Sequence, residues 1–312
     1  MFAQRKKMAR ATLAICSCLI GLSAPAARAG LIITPFFDST VTAAQQVVIN
    51  QAISFYTSSF ADNINVSIEF RTGGAGGSSS ASLYHFTPTQ ILTALHNDAT
   101  ANPQNTVLAG ALNFFSSGNT AQQFQINAPN CRAIALSSCA GTLTGNGSVN
   151  QTALDGIVTV AANAYGNSAV TQHEINEVLG SGGWSTILGD PQTVNGLTTI
   201  AMLDPYRYSA AGTPSLTIST SATSYFSLNG GVTSIAGYNQ SGNGDYGDLL
   251  SNPCYVQSFS TCANPAAQTL SSPEGLSLQT LGYDPVSTPE PTSVVLLGSA
   301  LAAHYASRRR TV

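Results

Sequence analysis

Short apolar stretches with a two-residue period predict the strands of this chain. Residues 64–70 read Ile-Asn-Val-Ser-Ile-Glu-Phe, in which apolar and polar side chains alternate strictly, so this segment predicts a strand with one solvent-facing side. Residues 31–37 and 156–162 are apolar runs that predict two further strands. Short strands are also expected at 216–218 and 225–228, within a second half that is otherwise rich in loops.

Apolar side chains at helical spacing predict the helices. Residues 42–60 carry such a pattern, and so do residues 87–98, which begin with a threonine cap followed by proline. A last helix is expected at 273–283, whereas the Gly/Ser-rich residues 73–82 are expected to form a flexible loop. No linker interrupts the succession of strands and helices, so the pattern predicts a single α+β domain over residues 30–287.

A further helix is predicted around residues 168–179, and its polar side chains have the spacing of metal ligands. With 3.6 residues per turn, His173 and Glu177 project from the same face and could both bind one cation. Glu174 lies about 100° further round the helix, where a general base would stand. In the familiar metalloprotease pattern His-Glu-x-x-His the last position is a second histidine, which here is Glu177.

The residues around this motif favour a real helix. Asn167 or Ser168 offers an N-cap, and the glycine-rich residues 180–183 supply a C-terminal stop. The positions opposite the polar side chains are occupied by Thr171, Ile175, Val178 and Leu179. Those side chains would pack on the core. The alternative is an amphipathic helix whose polar face is only solvated.

A third ligand has to come from elsewhere, because catalytic zinc normally has three protein ligands and one open position. Asp204 is the first candidate, since it follows the motif by 27 residues and could return beneath the metal. Pro205 biases the backbone of Asp204 toward an extended conformation. The same Asp-Pro pair can equally start a turn.

Other side chains leave the ligand set open. His85 and His96 are the remaining histidines between residues 30 and 287, and each could be a ligand or an ordinary packed or solvated side chain. Asp245 and Asp248, in Gly-Asp-Tyr-Gly-Asp, could bind calcium or cap a turn. Zinc is therefore the expected cofactor, with calcium as an additional candidate ion.

The N-terminal residues have the three parts of a secretory signal. A basic region precedes the apolar residues 11–22, and Ala27-Arg28-Ala29 is a small-x-small cleavage site. The mature chain is therefore expected to begin at Gly30, after export by the Sec machinery.

Cysteine spacing agrees with export. Cys131 and Cys139 are eight residues apart, and so are Cys254 and Cys262. Two local disulfides in an oxidising compartment are the favoured interpretation. Metal binding by these thiols is the weaker alternative, because neither pair has the short spacing of a zinc ribbon.

Charge excludes one class of partner. Between residues 30 and 287 the chain has thirteen acidic side chains against three arginines and no lysine, which leaves a net charge of minus ten. Nucleic acids and anionic membranes are therefore not expected partners. Divalent cations and neutral or cationic substrates fit this charge better.

The C-terminal residues resemble a known sorting signal. Pro289-Glu290-Pro291 is followed by the apolar residues 294–303 and then by Arg308-Arg309-Arg310. This order closely resembles the PEP-CTERM signal, which an exosortase processes in bacteria that make exopolysaccharide. The resemblance implies a Gram-negative-type bacterium, delivery to the cell surface or extracellular matrix, and a processed protein that is not integral to the membrane.

The interior resembles a family of secreted, PEP-CTERM-tailed predicted metalloproteases. The likeness is carried by the early strand and helix, the Gly/Ser loop, residues 173–180 (His-Glu-Ile-Asn-Glu-Val-Leu-Gly) and residues 206–210 (Tyr-Arg-Tyr-Ser-Ala). It implies a zincin-like fold, in which a mixed sheet lies over an active-site helix and the C-terminal half is rich in loops. In such folds a sheet edge binds extended substrate as an added strand.

The resemblance also implies roles for individual residues. His173 and Glu177 would be ligands of zinc, and Glu174 would be the general base in hydrolysis of peptide bonds by metal-activated water. Metzincins, a more distant likeness, add a glycine and a third histidine, and here Gly180 fits the former whereas Gly183 occupies the position of the latter.

Two interpretations of the function of this protein remain open. The first is a secreted zinc peptidase, in which Tyr206 or Tyr208 either donates to the oxyanion or packs in the core. The second is a catalytically inactive zincin-like scaffold that serves as a surface or exopolysaccharide-matrix protein. The Gly/Ser loop, the absence of lysine and the sorting tail suit the second equally well.

Overall fold

A computed structural model describes residues 30–115, 122–136, 139, 154–189, 193–194, 196–260, 262 and 264–287. The predicted secretory signal at 1–29 and the predicted sorting signal, with Pro289, Glu290 and Pro291, lie outside the described residues.

Helices and strands alternate in the first half of the described chain, and short strands dominate the second half. The α-helices are α1 (Ala43–Ser59), α2 (Pro88–Ala101), α3 (Thr106–Ala111), α4 (Ala128–Ala133), α5 (Ala169–Val178) and α6 (Pro273–Thr280). The longer strands are β1 (Ile32–Phe37), β2 (Asn65–Thr72), β3 (Gly77–Ala81), β4 (Leu83–Phe86), β5 (Gln122–Asn127), β6 (Gly156–Val160), β8 (Leu197–Ala201) and β9 (Arg207–Ala210). The two-residue strands are β7 (Thr193–Val194), β10 (Thr213–Pro214), β11 (Tyr225–Phe226) and β12 (Ala236–Gly237).

Helices α1 and α2 begin where their sequences predict. Thr42 caps α1 and Thr87 caps α2, and each threonine forms a capping box with the glutamine three residues later, Gln45 or Gln90. The prediction of both helices is confirmed, and so is that of the last helix, α6, although it ends at Thr280 rather than at residue 283.

The first sheet has the order β1-β2-β6-β3 and supports the motif helix. β1, β2 and β6 run parallel, and β3 pairs antiparallel with β6, from Gly77 opposite Val160 to Ala81 opposite Gly156. Helix α5 packs on β6 and β3, and helix α1 packs on α5 and β1. The apolar side chains between these layers form the core, which explains why the predicted strands at 31–37, 64–70 and 156–162 are all present.

The structure corrects two expectations about this sheet. The Gly/Ser-rich residues 73–82 do not form only a flexible loop, because residues 77–81 are the edge strand β3. The alternation in residues 64–70 marks a solvent-facing side only in part: Asn65 is exposed and Ser67 half-buried, but Glu69 is fully buried and accepts a hydrogen bond from Arg71 at 2.7 Å. Gly and Ser have low strand propensity, so the pairing with β6 and the packing of α5 decide the conformation of β3.

Two smaller sheets complete the α+β structure. One has the order β4-β5-β8-β7 and the other the order β10-β9-β11-β12. The predicted strand at 225–228 is present as the shorter β11, whereas residues 216–218 form no strand and expose Leu216 and Ile218. Local sequence gave little signal for the second half because its strands have two to five residues, too few to show a period.

Both predicted disulfides are present. Cys131 on α4 is bonded to Cys139, and Cys254 is bonded to Cys262. The two bonds close loops with the same separation of eight residues at different places in the fold. This agrees with the prediction of an oxidising compartment.

The chain segment after α6 is joined to the connection between α1 and β2. The backbone N–H of Ala61 donates to Asp284, and the Asp284 N–H donates to the carboxylate of Asp62 at 3.0 Å. Burial, together with the nearby Asp284 charge, raises the pKa of Asp62 to about 8. Folding therefore binds a proton at Asp62 over a pH range in which the unfolded chain has lost it.

The substitution Asp62→Asn is expected to remove a pH dependence of stability. Because the folded pKa lies above the unfolded value of 3.8, the wild-type protein should lose stability as pH rises from about 4 to about 8. Between pH 5 and pH 8.5 the wild type should lose more free energy of unfolding than the variant, by on the order of 3 kcal/mol. Urea denaturation at the two pH values measures this difference, and equal losses in both proteins would contradict the assignment.

Candidate metal centre

Helix α5 presents the motif as its spacing predicts. The side-chain oxygen of Asn167 accepts from the Ala169 N–H at 2.9 Å at the start of the helix, and Gly180 follows the end with φ of +101°. Thr171, Ile175, Val178 and Leu179 are all fully buried. The opposite face is not simply solvated, because Glu174 and Glu177 are also buried.

Three atoms that could donate electron pairs to a metal ion lie close together at this face of α5. His173 Nε2 lies 3.6 Å from Glu177 Oε1 and 3.5 Å from Asp248 Oδ2, and one donor atom from each of the three residues lies within 4.8 Å of the others. Only 15% of the His173 side chain, 6% of Glu177 and 5% of Asp248 is exposed. Of the described residues, these form the one group of three or more His, Cys, Asp or Glu side chains close enough to share a metal ion.

Hydrogen bonds from neighbouring residues fix the orientation of the His173 and Glu177 side chains. His173 Nδ1 lies 3.0 Å from the carbonyl oxygen of Val256, so Nδ1 carries a proton and Nε2 is the ring nitrogen that faces the two carboxylates. Glu177 Oε2 accepts from Ser79 on β3 at 2.7 Å, and its Oε1 accepts from the Gly183 N–H at 3.0 Å. The contacts of His173 Nδ1 and Glu177 Oε2 use the atoms that face away from the group, whereas Glu177 Oε1 both accepts from Gly183 and faces His173.

Asp204, the third ligand expected from the sequence, is not part of this group. Its buried carboxylate accepts from the Thr186 hydroxyl, from the Ile187 N–H at 3.2 Å and from the Ala201 N–H at 2.9 Å. The Asp-Pro pair starts a 3₁₀ turn, Asp204–Tyr206, which is the alternative that the sequence left open. Asp248 stands in the place expected for Asp204, although its sequence suggested only a calcium ligand or a turn cap.

Glu174 lies beside the group and against the edge strand. One of its carboxylate oxygens, Oε2, is buried and has no hydrogen-bond partner. The other oxygen lies against the Cα of Gly77, where a Cβ would collide with it, so only glycine allows β3 to approach so closely. Glu174 is therefore a buried acid with unused hydrogen-bonding capacity next to the three donor atoms.

The carboxylates of the site carry more negative charge than the His173 imidazole can balance. Burial, and next the neighbouring Glu177 charge, raises the pKa of Glu174 well above its usual range. Burial also raises the pKa of Asp248, against the opposing effect of His173. Burial by itself would lower the pKa of His173, but the charges of Asp248 and Glu177 outweigh it and raise that pKa. Protons or a divalent cation can balance such a set of carboxylates.

A cleft of about 1060 Å³ opens onto these side chains. Its walls are the start of β3, the polar face of α5, residues 183–189 with Trp184, residues 244–248 and the loop that contains Tyr255 and Phe259. Among the described residues that line it, none is Lys or Arg. On its outer edge β3 has no partner strand within the described part of the chain, so its backbone groups border the cleft.

The remaining candidates lie outside the three-residue group. His85 lines the cleft, and burial lowers its pKa, whereas His96 is exposed on α2. Asp245 is exposed at the rim, where burial of part of its side chain and the Glu177 charge raise its pKa. Tyr206 and Tyr208 do not line the cleft, and Tyr206 packs edge-to-face on Phe115.

Gly183, at the position of the third metzincin histidine, has little space for a side chain. A Cβ at this position would lie 2.8 Å from Glu177 Oε1 and 2.8 Å from Asp245 Oδ2. Any side chain there would displace the very carboxylate that faces His173. The third donor is therefore supplied by Asp248, from a loop that follows 65 positions later in the chain.

Comparison with known proteins identifies one segment. Residues 287–310 match the PEP-CTERM protein-sorting motif. The match implies exosortase processing, export and sorting to the cell surface in Gram-negative bacteria, as the sequence predicted. No curated protein and no solved structure matches the chain. None of the helices in the described ranges has the length and apolar character of a membrane span.

The two aspartates are expected to respond differently to removal. Asp204→Ala leaves the Thr186 hydroxyl and two backbone N–H groups without an acceptor, so the free energy of unfolding should fall by on the order of 3 kcal/mol. Asp248→Ala removes one of several crowded carboxylates and should cost less in protein treated with a chelator. Urea denaturation of both variants measures the difference, and an equal or larger loss in Asp248→Ala would contradict these roles.

Proposed function

We propose that this protein is a secreted zinc-dependent peptidase with a zincin-like arrangement of its catalytic helix and edge strand. His173, Glu177 and Asp248 would bind the metal, and Glu174 would act as general base. The observation that carries the proposal is the convergence of three donor atoms, one imidazole nitrogen and two carboxylate oxygens, at the floor of an open cleft.

The donor spacing fits a small tetrahedral ion. Zinc binds imidazole nitrogen and carboxylate oxygen at 2.0–2.2 Å, so two ligands at a tetrahedral angle lie about 3.4 Å from each other. The 3.6 and 3.5 Å separations from His173 Nε2, which in the metal-free protein are ion-pair contacts, are close to that value. One imidazole and two carboxylates also leave a tetrahedral ion one position for solvent or substrate.

Glu174 is placed to move protons in the reaction. When bound, zinc would supply a Lewis acid that polarises the scissile carbonyl and makes water more acidic. Glu174, whose carboxyl would lose its proton once a bound cation offsets the surrounding negative charge, would take the proton of the attacking water and deliver it to the leaving amine. Its side chain borders the cleft, and its buried Oε2 has no hydrogen-bond partner that would compete for the proton.

The edge strand supports a peptide as the substrate. β3 is antiparallel to its neighbour β6, and its outer backbone groups border the cleft above α5. An extended peptide can pair with such an edge and gain main-chain hydrogen bonds. Ser79 of β3 donates to Glu177 and accepts from Trp184 Nε1 at 3.0 Å, so a substrate paired with β3 would be held in register with the metal ligands.

Metal content is the direct test of the proposal. The exported protein is expected to contain about one zinc ion per chain by elemental analysis. His173→Ala, Glu177→Ala and Asp248→Ala should each lose it, because two ligands rarely retain catalytic zinc. Asp245→Asn, in the same loop as Asp248 but outside the three-residue group, is the matched control and should retain it.

Wild-type protein without bound metal would refute the peptidase and favour the alternative function, a surface or matrix scaffold. Retention of zinc in Asp248→Ala, together with its loss in Asp204→Asn, would reinstate Asp204 as the third ligand.

Glu174→Gln is expected to abolish hydrolysis without removing the metal. The amide keeps the size of the side chain but cannot accept the proton, so activity on casein should fall by roughly a thousandfold. The zinc content should stay at the wild-type level. Glu69→Gln is the control, because Glu69 is equally buried with one oxygen lacking a partner, yet does not line the cleft. Undiminished proteolysis by Glu174→Gln would exclude it as the base.

A further inference from the structure

Two consecutive residues contact two of the three proposed ligands. The carbonyl oxygen of Val256 lies 3.0 Å from His173 Nδ1, and the side chain of Gln257 donates from Nε2 to Asp248 Oδ1 at 2.9 Å. These residues lie in a loop between Cys254 and Cys262, which are joined by a disulfide. One short covalently closed segment therefore faces both the histidine and the aspartate of the site.

Gln257 is itself fixed by a buried polar layer. Its Oε1 accepts from Asn176 Nδ2 at 3.1 Å, and its backbone N–H donates to Glu274 Oε1 at 3.1 Å. Asn176 in turn accepts from the Tyr56 hydroxyl at 2.8 Å and from Gln268 Nε2 at 2.9 Å. All five of these side chains are buried. The layer joins α1, α5 and α6 directly beneath the site.

These bonds determine which way the Gln257 amide faces. Because Oε1 accepts from Asn176, the donor Nε2 must point to Asp248. Asp248 Oδ1 is then occupied, and Oδ2 is the oxygen presented toward His173 Nε2. Without the amide, the Asp248 side chain could rotate and would have to be ordered again on binding a cation.

We propose that Gln257 is a positioning residue for a divalent metal ion and that the Cys254–Cys262 disulfide holds it in place. The proposal rests on the proposed function, because Gln257 contacts a residue that is a metal ligand only under that function. The disulfide matters since the described part of this loop, residues 254–260 and 262, contains no strand or helix and depends on a few turn and bridge hydrogen bonds. Closing the loop reduces the freedom that Val256 and Gln257 would otherwise have.

The zinc dissociation constant, measured by competition with a chromophoric chelator at fixed pH, tests the role of Gln257 without any assay of activity. Gln257→Met keeps the volume and removes both hydrogen bonds, and it should weaken zinc binding ten- to a hundredfold. Gln279→Met is the matched control, because Gln279 is a buried amide of α6 that donates only to the Leu270 and Gly275 carbonyls. Its zinc affinity should stay within about twofold of wild type, whatever stability it loses.

Equal affinities of the two methionine variants would overturn the proposal and leave the proposed function intact. Absence of zinc from the wild type would overturn both. If Gln257→Met does not fold, Gln257→Glu replaces the donor by an acceptor facing Asp248, and unchanged zinc affinity in that variant would overturn the proposal.

The two disulfides provide a second matched comparison. Cys254→Ser/Cys262→Ser should weaken zinc binding at least fivefold by loosening the loop. Cys131→Ser/Cys139→Ser opens a loop of the same separation, in which Cys131 lies on α4 and neither cysteine lines the cleft, and it should leave the affinity unchanged. An equal effect of the two pairs of substitutions would show that the disulfide has no specific role at the site.

Discussion

Burial of three carboxylates around one imidazole is the constraint on which the rest of this structure depends. Glu174, Glu177 and Asp248 are each at least nine-tenths buried, and the charge of His173 cannot neutralise all three. Desolvation makes such an arrangement costly unless protons or a cation are bound with it. The three arginines between residues 30 and 287 do not neutralise these carboxylates, because each has other partners. Arg71 pairs with Glu69, Arg132 pairs with Asp155, and Arg207 contacts the Tyr246 carbonyl and the Tyr238 ring. A divalent ion meets this requirement with the donors that are present.

The surrounding structure is organised to keep these groups close together. Gly77 and Gly183 allow backbone to approach Glu174 and Glu177 where any side chain would collide, and Ser79 and the Gly183 N–H then bind Glu177. On the opposite side, the polar layer of Asn176 and Gln257 holds Asp248. Buried polar groups that are mutually satisfied fix one conformation more strictly than apolar packing does. These hydrogen bonds thus order Glu177 and Asp248 before any ligand binds, whereas Glu174 keeps one oxygen without a partner.

Export and the chemistry of the site are connected through the disulfides. The PEP-CTERM motif directs the protein to the cell surface, beyond the reducing cytoplasm. The Cys254–Cys262 bond can form there, and it closes the loop that contacts His173 and Asp248. The proposed role of this disulfide at the metal centre is therefore compatible with the compartment to which the protein is sorted.

The sequence by itself determined those features that depend on neighbouring residues. The α-helix of the motif, its buried face, the helix caps at Thr42 and Thr87, the three central strands and the cysteine pairs each follow from a period, a cap or a short separation. The sequence also placed His173 and Glu177 on one face, because residues four apart on a helix lie one above the other.

Only the tertiary structure decided what approaches that face. The proximity of Asp248 rather than Asp204 to His173, the conversion of a Gly/Ser segment into β3 and the hydrogen bond from Gln257 to Asp248 all depend on loops that return from distant positions in the chain. A carboxylate in a loop has no periodicity that reveals its partner, and Asp204 and Asp248 look alike until their neighbours are known. The physical reason is that long-range contacts follow from packing of the whole core, whereas a sequence pattern reports only local geometry.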